Sequence, residues 1–209
     1  MTERTLVPGG RELLWAGALA AATTGATLLA GCGARDRSYV QAQPSEHAGS
    51  WKIEHRIDRV TGRRVSFAAV ITWATNTKAG GGTAAAEVVC SGTRLHVQFE
   101  FAHRVGAERN SSIAYRVDDR PGDEVEATFE QDQRTVSITD PAAVTKFVEE
   151  VSAGSMLLVR ASSPFAGRTF AEFRIVGAAA AFAPLLERCP LPSASPTRTS
   201  AASGASKAK

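Results

Sequence analysis

"TRLHVQFEF", residues 93–101, alternates without a fault. Leu95, Val97, Phe99 and Phe101 fall on one face, and Arg94, His96, Gln98 and Glu100 on the other. A period of two residues is that of an extended chain with one face buried and the other in water. A helix would scatter the same apolar residues around its circumference. The segment is a strand of a one-sided sheet, and the chain is read outward from it.

Upstream, "AAEVVCSG" is a second strand, joined to the first through Ser91-Gly92 in a hairpin-type connection. Before it, "WKIEHRID" places Trp51, Ile53, His55 and Ile57 on one face, and Gly62 supplies a turn. "VSFAAVITWAT" continues as a strand with Phe67, Ala69, Ile71 and Trp73 on one side. Both Trp51 and Trp73 fit core-facing positions. "NTKAGGGT", residues 76–83, reads as a flexible loop on its glycines. Downstream, "SIAYRVD" (112–118), "EVEATFE" (124–130) and "TVSIT" (135–139) are strand candidates.

Asp140-Pro141 then opens a helix, with Asp140 able to cap free amides and Pro141 losing no needed donor. Val144, Phe147, Val148 and Val151 form its apolar stripe, and Gly154 ends it. "SMLLVRA" and "RTFAEFRIV" make another strand pair across "SSPFAG". "AAAAFAPLLERC" repeats the helical stripe with Phe182, Leu185, Leu186 and Cys189, where Pro184 predicts a late start or a kink. The order predicts a mainly β, α+β fold: an antiparallel β-sandwich or sheet with two C-terminal helices packed on it.

The N-terminus carries the location signal. Leu13–Gly31 holds no charge, follows Arg4 and Arg11, and ends in Leu29-Ala30-Gly31-Cys32. This resembles the bacterial lipobox, in which the cysteine thiol takes a diacylglycerol carrying palmitate-type chains and a peptidase cuts before it. The alternatives are a single-pass anchor or an ordinary signal peptide. On the lipobox reading, residues 1–31 are a signal peptide, Cys32 is the lipidation site, and residues 32–49 are anchor and flexible tether. Residues 50–189 are the β-rich domain, and 190–209 a disordered Ser/Ala/Pro tail. Gly33 in place of Asp favours the outer membrane, facing the periplasm, in a Gram-negative host.

Of the three cysteines in the 209 residues, Cys90 and Cys189 then remain. An exported compartment can oxidise them, and a link would tie the last helix to the sheet. The alternative is two separate buried thiols. The net charge of +3 equals that of Arg198, Lys207 and Lys209 in the tail, so the rest of the chain is balanced and nucleic acid is not expected as a partner.

No catalytic signature stands out. His47, His55, His96 and His103 offer no ligand pair at helical or knuckle spacing; His96 and Glu100 share a strand face but lie ~13 Å apart, so no metal site and no cofactor are expected. Ser50, Ser91 and Ser155 fit turns. Asp118-Asp119 before "RPGDE" reads as a surface turn, with calcium as the sharper alternative. "AGGGT" lacks the Lys-Ser/Thr of a phosphate loop. Trp51 and Trp73 would line a glycan or peptide groove if they faced outward.

The segment from Trp51 to Cys189 resembles the periplasmic type VI secretion-associated family called VasI or TagO. The resemblance rests on the opening "SW", on "VVCSGTRLHVQFEF", "YRVD", "VTKFVEEVSAGSMLLVR" and the closing "FAEFRIVGAAAAFAPLLERC". It implies a small exported β domain closed by one disulfide, and brings no catalytic residues. The expected function is a non-enzymatic, lipid-anchored envelope protein that binds a protein or glycan partner as an accessory to secretion or wall-associated machinery. Two alternatives stand beside it. One is an envelope hydrolase with a spatially assembled site. The other is an inhibitor of foreign hydrolases acting through a loop such as 76–83 or 118–123.

Overall fold

A computed structural model describes residues 38–106 and 111–191. The signal segment, Cys32 and the tail beyond residue 191 lie outside the described residues. Chain order is β1 (Tyr39–Gln41), β2 (Glu46–Ala48), β3 (Trp51–Asp58), β4 (Arg64–Asn76), β5 (Gly80–Ser91), β6 (Arg94–Phe101), β7 (Ser112–Val117), β8 (Asp123–Val125), β9 (Thr128–Phe129), β10 (Thr135–Ile138), α1 (Pro141–Ser152), β11 (Met156–Ser163), β12 (Gly167–Arg174) and α2 (Ala178–Arg188).

The fold is mainly β: one curled antiparallel sheet with two helices, as the strand pattern predicts. Its order is β8-β7-β11-β12-β4-β5-β6-β10-β9. β4 is the spine. Along one edge it pairs with β5 from Val65↔Ser91 to Asn76↔Gly80. Its other edge is shared, with β3 pairing over residues 64–69 and β12 over residues 74–76. The sheet therefore forks around Val70–Trp73.

The helices cover one face. Asp140 caps α1 by accepting from the Ala143 amide at 2.9 Å, and Val144, Phe147, Val148 and Val151 are buried. α2 buries Ala178, Ala181, Phe182 and Leu185 and runs through Pro184 rather than starting after it. One lost backbone donor is tolerated because packing and the Cys189 link hold the helix on both sides of it.

Three expectations need correction. Residues 39–41 and 46–48, expected in the tether, pair with β3 as β1 and β2. The β2–β3 turn is locked onto the start of α2: Ser50 N–H donates to the Val176 carbonyl at 2.9 Å, and the Trp51 indole donates to the Ile175 carbonyl at 3.0 Å. Gly49 and Gly177, both at positive φ, lie so close that a Cβ on Gly177 would meet the Ala48 backbone. Pairing with β3, and not any pattern of their own, makes these short segments strands.

Second, the inside of β4 is the other face. Ala68, Val70 and Ala74 point to the core with Ala84, Ala86 and Val88 of β5, while Ile71 and Trp73 point out, 69% and 65% exposed. The helices need a floor of small side chains: Phe182 packs edge-on against Trp51 at 4.8 Å, and bulky residues beneath them would overfill the core. Third, residues 80–82 belong to β5, paired with residues 74–76. Only residues 77–79 form the turn. Glycine at position 81 lets the Trp73 indole lie across the strand; a Cβ there would come within 2.5 Å of the ring nitrogen and push the exposed indole aside.

Candidate functional site

The inner face is closed by a disulfide between Cys90 on β5 and Cys189 at the end of α2, with Cα atoms 5.8 Å apart. Ser66 lies opposite Cys90 in the β4–β5 register. Its hydroxyl oxygen lies 2.8 Å from His55 Nδ1 and accepts from the Arg188 guanidinium at 2.9 Å. A serine and a histidine in contact are the start of a nucleophilic dyad. Here the serine is fully buried and the same oxygen is held by Arg188, so the cluster fastens α2 to the sheet.

The other residues singled out by sequence take structural posts. Asp118, at φ 49°, accepts from the Ser155 amide and hydroxyl and from the Met156 amide, which holds its carboxyl below the usual range. The acidic turn is thereby pinned to the loop after α1. Asp123 is paired with Lys146 at 2.6 Å. His103 Nε2 lies 3.2 Å from the Thr169 hydroxyl, and burial pulls its pKa and that of His96 down. Asn76 clamps two hairpin tips, donating to the Ala166 carbonyl and the Thr169 hydroxyl while accepting from the Lys78 and Ala79 amides. Lys78 Nζ donates to the Pro164 and Phe165 carbonyls. The loop expected at 76–83 is thus a tied turn. Among the described residues no three His, Cys, Asp or Glu side chains come together at metal-ligand distance. No helix among them is long and apolar enough to cross a membrane.

What distinguishes the molecule is the outer face of the sheet. Ile71 and Trp73 stand two residues apart on β4, and Phe170, 43% exposed, lies opposite Thr75 on β12. Trp73 and Phe170 are diagonal cross-strand neighbours. Three shallow depressions lie on this face, two of them sharing a wall. One of about 530 Å3 is floored by Ala114 and Leu158 and walled by Arg116, Arg160 and Phe170. A second of about 370 Å3 shares Arg160 and Phe170 and adds Thr75 and Arg168. The third, about 410 Å3, opens at the fork of the sheet between Ile71, Trp73, Met156, Glu172 and Arg174.

Further along the same face, Arg56 lies over the Phe67 ring at 4.5 Å, and Glu54 accepts from Arg56 and pairs with Lys52. Phe67, Ala69 and Val89 form a small buried cluster there. Glu87, between Ala69 and Gln98 in the register, is caught beside it. Burial, helped by Glu100, pushes its carboxyl up to about 7. This acid lies outside the three depressions.

Compared with family models, curated proteins and solved structures, the chain matches none of them.

Proposed function

We propose that this protein is a non-enzymatic binding module of the bacterial cell envelope, lipid-anchored through Cys32, whose outer sheet face docks another envelope component. It would serve as an accessory to secretion or wall-associated machinery of the kind the VasI/TagO resemblance implies. The observation that carries the reading is the exposure of Ile71, Trp73 and Phe170 together on one face. A sheet normally spends its large apolar side chains on the core. Here alanines line the core side of β4 and the large residues face water, which marks an interaction surface.

A photo-cross-linking amino acid at position 71, expressed in the intact envelope, tests it. A discrete adduct that disappears with Trp73→Ala, and does not form from position 60, is the expected result. Equal, diffuse labelling from both positions would refute the docking face. Mass spectrometry of the mature protein, with and without reductant, tests the anchor and the disulfide separately. A chain beginning elsewhere than a diacylglyceryl-modified Cys32 would remove the anchor.

A further inference from the structure

The docking face has a charge as well as an apolar centre. Arg116 on β7 lies opposite Leu158 on β11; Arg160 on β11 lies between Ala114 and Phe170; Arg168 on β12 lies opposite Ser162. Each arginine is one strand across and two residues along from the last. The strand spacing and rise put successive roots roughly 8 Å apart in an oblique row. All three side chains are exposed. Among the described residues the ion pairs join Lys52 and Arg56 to Glu54 and Lys146 to Asp123, so none of these guanidinium groups has a carboxylate partner. Arg174 adds a fourth cation at the fork; Asp123 and Glu124 line the same depression as Arg116 and Arg160, with Asp123 already paired to Lys146, and Glu172 lies opposite Leu158.

From this we infer that the partner is an acidic protein segment carrying its own apolar side chains. The inference rests on the docking reading above and adds the partner's chemistry to it. Aromatic residues and arginine are the side chains that dominate protein–protein hot spots. Ile71 and Met156 in the apolar centre suit aliphatic side chains of a partner. Arginine forks take carboxylates in two parallel hydrogen bonds, so a row of three selects a chain presenting several acids and repels a basic one.

The test is a fluorescence-anisotropy titration of the full chain against a labelled ten-residue peptide alternating Asp and Leu. Its controls are the same peptide with Lys for Asp, and a ten-residue poly-aspartate. The Asp-Leu peptide is expected to bind at least tenfold more tightly than either control and to weaken as salt is raised. Arg116→Glu with Arg160→Glu should weaken it at least tenfold, while Arg94→Glu, on β6, should not. Circular dichroism confirms that the variants are folded. Equal binding of the Lys-Leu peptide overturns the charge assignment. Equal binding of poly-aspartate overturns the combined apolar and acidic partner. No binding of any peptide, with the envelope cross-link from position 71 intact, overturns the acidic partner and leaves the docking face standing. Loss of that cross-link removes both.

Discussion

Replacing Glu87 with glutamine is expected to stabilise the protein at pH 8 and to leave it nearly unchanged at pH 4.5. The folded state holds this carboxyl's pKa at about 7 against an ordinary 4.5, because burial beside Phe67 and Val89 disfavours the charge and Glu100 adds repulsion. The folded protein therefore binds the proton more tightly than the unfolded chain between those two values. Stability falls as pH rises through that window and levels off above it. The shift corresponds to roughly 3 kcal/mol as a ceiling. Glu87 is half-buried, so solvent screening reduces this to about 1–3 kcal/mol at pH 8. Glutamine keeps the shape and removes the charge. Urea unfolding followed by far-ultraviolet circular dichroism at pH 4.5, 6, 7 and 8 gives the difference between the two proteins. His96 and His103, whose pKa values are lowered, give a trend of opposite sign below about pH 6.5, and it cancels in that difference. A difference that stays flat from pH 4.5 to 8, or a glutamine variant less stable at pH 8, would refute the account of this carboxyl.

Other substitutions test the scaffold. Cys90→Ala with Cys189→Ala opens a link between residues 99 apart, for which the chain-entropy model gives about 4–5 kcal/mol; a loss below ~1 kcal/mol in non-reducing urea unfolding would contradict a stabilising role. Tyr115 is buried edge-on against Phe147 at 5.1 Å, and its hydroxyl makes no close hydrogen bond, with Glu150 its nearest polar neighbour, so Tyr115→Phe should change the unfolding free energy in urea by no more than ~1 kcal/mol. Asp140→Ala removes the cap on the Ala143 amide and should cost about 1 kcal/mol, with Asp140→Asn recovering most of it; equal losses in the two variants would count against a capping role.

What was legible in the sequence was local. The start and the buried stripe of α1 could be read, because its cap, its proline and its stripe lie within twelve positions, while its end falls at Ser152 with Ala153 as the cap, just short of Gly154. β6 could be read from its alternation alone. Alternation assigns side chains to two faces, however, and does not say which face is inside. On β4 the helices decided, by requiring alanines beneath them, and Trp73 went outward. The glycines at 80–82 signalled a loop, since a glycine run serves equally for a turn or for a close approach; only the position of Trp73 distinguishes them. β1 and β2 were hidden because three-residue strands are defined by their partner. The arginine row was invisible because residues 116, 160 and 168 meet only through the registers of β7, β11 and β12.

The placement of the docking face follows from the length of β4. The described chain enters at Ser38, whose carbonyl accepts from the Arg59 amide at the β3–β4 turn. Trp73 lies nine residues along β4 from Arg64 at that same end, about 30 Å away at strand rise. With β1 and β2 in the sheet, only residues 33–37 separate Ser38 from Cys32, a reach of about 20 Å at full extension. The face with Ile71, Trp73 and Phe170 thus sits toward the end of the sheet opposite the β3–β4 turn at which the described chain enters. If Cys32 carries the proposed lipid, this placement favours a partner beyond the membrane surface over the headgroups of its own leaflet. The test is to lengthen the connection: ten Gly/Ser residues inserted after Arg37 should leave the position-71 cross-link in place, because the face already reaches its partner. A cross-link lost on insertion would mean that the short connection holds the face against the membrane.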